Sequence, residues 1–191
     1  MAKVYVFFAD GVEEIEGLTA VDILRRGGQD VVTVSVTGEW MIEGSHGIRF
    51  TVDRLFENEY AVDGSLPGGN LTDGDMVVLP GGGKGTQALL AHEGLGKLLL
   101  SYAAEGKWIG AICAAPSVLG KYALLQGKRA TCFPGFEEKL LGATVTGEAV
   151  TVDGNIITGK GMGVSGEFAV ELLRALNPAE ADRVAKTIQM R

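Results

Sequence analysis

Residues 3–36, KVYVFFADGVEEIEGLTAVDILRRGGQDVVTVSV, decide the fold. The run Lys3–Ala9 is almost continuously apolar, which suits a strand buried on both faces of a parallel sheet. Asp10-Gly11 ends it. Over Glu13–Arg26 the spacing of Ile15, Leu18, Val21 and Leu24 predicts a helix, and its basic last turn suits the negative end of a helix dipole. Gly27-Gly28 stops that helix. Asp30–Val36 is a second strand of the parallel type, so the first 36 residues form one βαβ unit.

The same alternation continues along the chain. Trp40–Phe50 reads as a short hairpin around Gly44–Gly47. Asp75–Leu79 is a third main strand, followed by Pro80-Gly81-Gly82-Gly83 and a helical stretch broken near Gly94–Gly96. Lys107–Ile112 is a fourth strand, and Cys113–Leu125 turns into a helix. Arg129–Cys132 is a short strand, and Thr144–Val152 pairs with Asn155–Thr158 around the turn signal Asp153-Gly154. Helices over Ser165–Leu176 and Ala179–Met190 close the chain, the second started by Asn177-Pro178. Repeated βα units predict one α/β domain over 1–191, a doubly wound sandwich in three layers with a mostly parallel sheet and helices on both faces. Residues 57–75 are polar, acidic and glycine-rich. They read as a surface loop rather than a linker, because the alternation resumes directly after them.

Composition narrows the function. A chain of 191 residues with 46% apolar content fills a sizeable core, which excludes intrinsic disorder. Seventeen basic against 24 acidic residues give a net charge of −7. No basic run exceeds Arg25-Arg26, so a nucleic-acid-binding patch is not expected. The longest apolar stretches are strand-sized and fall far short of the roughly 18 residues of a membrane span. The N-terminus opens on a strand without an apolar h-region, which predicts no secretory signal. Cys113 and Cys132 form neither a CxxC pair nor a metal-binding spacing, as in a reduced cytoplasmic protein.

Three turns at predicted strand ends carry the chemistry. Trp108-Ile109-Gly110-Ala111-Ile112-Cys113-Ala114-Ala115-Pro116 is an apolar strand running into a cysteine flanked by small residues, the form of a nucleophile elbow. A helix N-terminus behind Cys113 would favour its thiolate. A buried structural cysteine is the competing reading. Leu79-Pro80-Gly81-Gly82-Gly83 allows backbone amides to face a cavity and stabilise an oxyanion beside Cys113; a plain tight turn is the alternative. Glu13-Glu14-Ile15-Glu16 places carboxyl groups after the first strand. An ionised one near a thiol raises the thiol pKa, a protonated one lowers it, and a merely charged first helical turn would do neither.

Other patterns fail on inspection. Lys84 suggests a phosphate loop, but Gly85 follows it where Ser or Thr is required. Gly161-Met162-Gly163-Val164-Ser165-Gly166 matches GxGxxG, yet no further strand with an acidic residue follows, so close backbone packing is the better reading. His46 and His92 are too few and too scattered for a metal cluster, so no metal is expected; both read as loop or surface residues. His46 could still reach a site across an interface.

With these motifs assembled, the chain resembles the PfpI/ThiJ superfamily in its DJ-one-like branch. The resemblance runs from residue 3 to near the C-terminus through Ala9–Glu16 (ADGVEEIE), Val21–Arg26 (VDILRR), Leu79–Gly82 (LPGG), Ala111–Pro116 (AICAAP) and Thr158–Glu167. It implies a flavodoxin-like sandwich and a homodimer packed through the first helix. By motif position it implies Cys113 as the reactive cysteine, Glu16 as a protonated glutamate, and the Gly82 and Ala114 amides as oxyanion donors. Arg26 and His46 would lie near a dimer-shared pocket edge. Two departures stand out. Ala114 replaces the histidine that follows the cysteine in the protease-like branch, which argues against peptidase activity. Phe133 stands before Pro134 where some relatives carry a histidine, which leaves Glu16 to handle protons. The resemblance implies a cofactor-free glyoxalase or deglycase acting on a small aldehyde or glycated substrate. Its rival is a redox-sensing or chaperone-like protein whose Cys113 is oxidised without turnover. A Cys132 within disulfide reach of Cys113 would favour the rival; otherwise Cys132 is a core residue. No feature supports a thiazole or phosphate site.

Overall fold

The computed structural model describes residues 1–56 and 71–190, so most of the acidic loop read at 57–75 lies outside the described residues. Seven strands form the central sheet: β1 (Lys3–Phe8), β2 (Asp30–Ser35), β5 (Arg54–Leu55), β6 (Met76–Leu79), β7 (Trp108–Ile112), β10 (Val150–Asp153) and β11 (Ile156–Gly159). Their order is β10-β11-β7-β6-β1-β2-β5, and only the β10–β11 pair is antiparallel. This is the flavodoxin-like three-layer sandwich.

The apolar run of β1 explains the layering. Successive side chains of a strand point to opposite faces. Tyr5, Phe7 and Ala9 enter one core and Val4, Val6 and Phe8 the other, and all six are buried. The first core is closed by α2 (Gly83–Ala91), α3 (Glu93–Ala104) and α4 (Pro116–Lys121), through residues such as Leu89, Leu98 and Val118. The second is closed by α1 (Glu14–Arg26), α5 (Ser165–Leu176) and α6 (Pro178–Thr187), through Leu24, Phe168 and Val184.

Several boundaries differ from the sequence reading. In α1 the expected apolar phase is only half right: Val21 and Leu24 are buried, but Ile15 is 49% exposed and Leu18 36%. Glu14, Glu16, Gly17 and Ala20 are buried in their place. The break after α2 falls at His92, whose Nδ1 accepts from the Leu95 amide and caps α3. Gly94 and Gly96 lie inside α3, because an added Cβ would strike the Phe56 and Tyr122 rings. The late hairpin turns on Gly154-Asn155, one residue beyond the expected pair. Thr144 belongs instead to β9 (Thr144–Val145), which pairs in parallel with β8 (Arg129–Ala130) in a separate small sheet. The early excursion is a hairpin of β3 (Met41–Glu43) and β4 (Arg49–Thr51).

Candidate active site

The three turns singled out in the sequence meet at the carboxyl ends of the neighbouring strands β1, β6 and β7, where the order of the sheet reverses. Cys113 follows β7 with φ +65°, a left-handed conformation uncommon for any residue with a Cβ. Neighbouring backbone holds it there. Its N–H donates to Gly159 O (2.9 Å), its C=O accepts from Phe133 N (2.8 Å), and Ala115 N closes the turn on Ile112 O (3.0 Å). The result is a nucleophile elbow with Cys113 half-buried. The helix behind it, α4, begins only at Pro116. The Gly82 and Ala114 N–H groups hydrogen-bond the Cys113 side chain and favour the thiolate.

Glu16 approaches from the first turn of α1. It is 1% exposed; Oε2 accepts from the Gly81 amide (2.9 Å), while Oε1 finds no hydrogen-bond partner among the described residues. Gly81 makes the approach possible, since a Cβ there would lie 2.6 Å from both Cys113 Cβ and Glu16 Oε2. Burial pushes the Glu16 carboxyl up to about 7, against the hydrogen bonds to Cys113 and Gly81 that pull it down. Burial and then the Glu16 charge push the Cys113 thiol up to about 12, with the two amides pulling the other way. Protonation of Glu16 near neutral pH removes the charge that opposes the thiolate and makes the carboxyl a donor to sulfur. Both behaviours weighed for a carboxyl beside a thiol thus belong to one side chain.

Glu16, Cys113, Gly82 and Ala114 open into a cavity of about 390 Å³ walled by Phe133, Phe136 and Met162, with Glu13, Ser45 and His46 at another side. His46 of the same chain lines this cavity, so no interface is needed to bring it there. Arg26 is not brought to it. Ten residues beyond Glu16, it is about 15 Å farther along α1, where it pairs with Asp22 (2.6 Å) beside a different groove. Cys132 is buried in the core on one side of the sheet and Cys113 packs against the other, which leaves Cys132 as a core residue. The glycine-rich stretch at 161–166 is a packing element: Gly161 backs the Phe133 ring, and Met162 joins the cavity wall.

The sequence reading assigns no individual role to Glu14, Ser45 or Phe136. Glu14 is 1% exposed, and one of its carboxylate oxygens lies within 4.8 Å of a Glu13 oxygen and a His46 ring nitrogen. Its oxygens are already engaged: Oε1 accepts from His46 N (2.7 Å), and Oε2 from Ser45 Oγ (3.1 Å) and His46 Nδ1 (2.9 Å). Burial raises the Glu14 pKa, but these hydrogen bonds outweigh it and hold the carboxyl at about 2. The signal was present in the helical period, because Glu14 shares a face with Gly17, Val21 and Leu24.

The DJ-1/PfpI family model matches residues 2–175, with the elbow, the glycine turn and the glutamates inside the matched span. The chain belongs to the DJ-1/PfpI family. It is 36% identical over 178 residues to protein DJ-1 homolog B of Arabidopsis thaliana, covering 91% of this chain and 38% of that protein. The chain spans less than half the length of either Arabidopsis homolog, A or B. Oxidized DJ-1 of Toxoplasma gondii superposes with a TM-score of 0.87 at 32% identity, covering 99% of this chain and 98% of that one. A deglycase of Pyrococcus abyssi is 28% identical over 160 residues, 83% of this chain and 89% of that protein. Family membership and fold rest on these matches; the chemistry of this chain rests on its own cavity. No helix among the described residues is long and apolar enough to cross a membrane.

Proposed function

We propose that this protein converts α-oxoaldehydes, or their adducts with amines, to hydroxy acids without a cofactor. The observation that carries this reading is the elbow at Cys113, with the Gly82 and Ala114 amides and the Glu16 carboxyl all directed at its sulfur. The sulfur adds to the aldehyde carbon, forming a C–S bond, and the two amides stabilise the oxygen that gains charge; from an amine adduct the C–N bond breaks as the C–S bond forms, and the amine leaves with the thiol proton. Glu16, poised near neutral pH, takes the proton from that carbon and returns it to the adjacent one. The hemithioacetal becomes a 2-hydroxyacyl thioester with no net oxidation. Water then breaks the C–S bond, giving the hydroxy acid and the free thiol. The name of the Pyrococcus abyssi relative supports this reaction class.

The decisive experiment is hydroxy-acid formation from methylglyoxal by the purified protein without glutathione. Cys113→Ser should reduce it to background while the circular dichroism spectrum is kept. Turnover retained in Cys113→Ser overturns the reading.

A second reading has one observation of its own. The donors that would hold an oxyanion also suit a Cys113 sulfinate, and the Toxoplasma gondii relative is described as oxidized. Rapid oxidation of Cys113 with no aldehyde turnover favours this sensor. Under either reading the exposed Ile15 and Leu18 of α1 support packing against a second copy of the chain, the one way in which Arg26 could approach a cavity.

A further inference from the structure

Glu14 is a buried carboxylate that the chemistry above does not use. Among the described residues, every side-chain donor that reaches it comes from one turn, Ser45-His46. The turn is itself a built structure: Gly11 N donates to Glu43 O (2.8 Å), Ser45 N to Val12 O (2.8 Å) and Gly47 N to Gly44 O (3.1 Å). Gly44 packs directly on the Glu14 carboxyl, where an added Cβ would clash. Glu14 is ionised and can only accept, so the hydrogen of His46 is assigned to Nδ1, and a neutral ring presents its lone pair at Nε2. No described residue is hydrogen-bonded to Nε2. The ring is 68% exposed and yet lines the cavity that holds Cys113. A carboxylate that fixes one imidazole nitrogen and leaves the other free at a nucleophile's cavity is the arrangement of a base held for proton transfer.

The geometry points to His46 as the base that activates water in the release step, with Glu14 as the positioning residue that orients it. The assignment rests on the aldehyde-processing reading for its natural substrate. His46 Nε2 takes a proton from the water, the water oxygen bonds to the thioester carbon, the C–S bond breaks, and the proton returns to the Cys113 sulfur. Glu16 is poorly placed for this task. It is buried against the thiol, with Oε2 held by Gly81, whereas the exposed imidazole meets both solvent and cavity. The two protic groups divide the reaction, Glu16 moving a proton between substrate carbons and His46 moving one between water and sulfur. Phe133, which stands where some relatives carry a histidine, supplies no base, so this one comes from a loop 67 positions before Cys113 in the chain.

His46→Ala tests the assignment, and an exposed ring can be removed without emptying the core. Para-nitrophenyl acetate acetylates Cys113 independently of any aldehyde chemistry, so the two readings fail separately. We expect wild-type acetylation, deacetylation slowed by about 100-fold, an acetyl group on Cys113 in the intact mass, and partial recovery on adding imidazole. Glu14→Gln should move the pH midpoint of deacetylation downward, because the carboxylate raises the His46 pKa through its hydrogen bond and charge. Deacetylation at the wild-type rate in His46→Ala overturns the inference whatever happens to methylglyoxal. So does slowing that imidazole does not relieve, which would mark a structural role. A wild-type protein that deacetylates through His46 but forms no hydroxy acid would retain the base and overturn only the aldehyde reading.

Discussion

Glu14 and Glu16 lie two residues apart in the first turn of α1 and are equally shielded from solvent, yet one is held at about pKa 2 and the other at about 7. Burial raises both, and raises Glu16 more because it is packed more deeply among its neighbours. The number of donors separates them further. Glu14 receives hydrogen bonds from the His46 amide, the His46 ring and the Ser45 hydroxyl, and stays ionised. Glu16 receives one backbone hydrogen bond on Oε2, and its Oε1 has no hydrogen-bond partner among the described residues. A helix turn therefore presents two carboxyl groups with opposite protonation at neutral pH, one fixing a loop and the other exchanging a proton.

The comparison is broken most severely by Glu16→Gln. The substitution keeps a donor towards Cys113 but removes proton exchange, so hydroxy-acid formation should fall by roughly 10²- to 10⁴-fold. Stability should respond as well. The Glu16 pKa is raised by folding, so its contribution is fully present below 4.5 and lost as pH rises through about 7. Between those limits the wild type should lose about 3 kcal/mol relative to Glu16→Gln. Urea unfolding of both proteins from pH 4 to 8 measures this, and parallel curves would refute a raised carboxyl.

Glu14→Gln should give a smaller effect of opposite slope. Folding lowers the Glu14 pKa, so its stabilisation is present above 4.5 and lost as pH falls towards 2. Solvent beside the exposed His46 screens the interaction, which limits the loss to about 1–2 kcal/mol. The variant should be less stable than wild type at neutral pH and converge with it in acid. A constant gap down to pH 2 would mean that packing, and not charge, holds the turn.

Residue patterns show how far this site can be read in the sequence. The β1 run and the Cys113 elbow are legible because both are local: continuous apolarity marks burial on two faces, and small residues mark a sharp turn. The pairing of Glu16 with Cys113 is not local, and only the family resemblance implies it. The burial of Glu14 was hidden for a physical reason. Apolar periodicity assigns Ile15 and Leu18 to the core and glutamate to solvent, and it has no term for donors arriving from a turn more than 30 residues away. His46 was likewise separated from its carboxylate by the whole of α1, β2 and β3. His92 carries no breaker signal, because the sequence pattern assigns the helix break to glycine, whereas Gly94 and Gly96 are small to admit Phe56 and Tyr122.

The smallest expected effect tests whether the two carboxyl groups are independent. Glu13 precedes α1 and acts on both sides: its carboxylate is 3.3 Å from Ser45 Oγ and 3.7 Å from His46 Nδ1, and its charge also raises the Glu16 pKa. Glu13→Gln removes a negative charge from both sides at once. The Glu16 midpoint should move down from about 7, and the His46 midpoint should move down with it, because the same charge favours a protonated imidazole. Carbon-13 titration of the Glu16 carboxyl and proton titration of the His46 ring follow the two separately. Movement of both means that Glu13 couples the proton-exchanging side to the loop-fixing side through space. If His46 moves and Glu16 does not, the Glu13 charge plays no part in the Glu16 pKa, and the two sides share a helix turn without sharing a field.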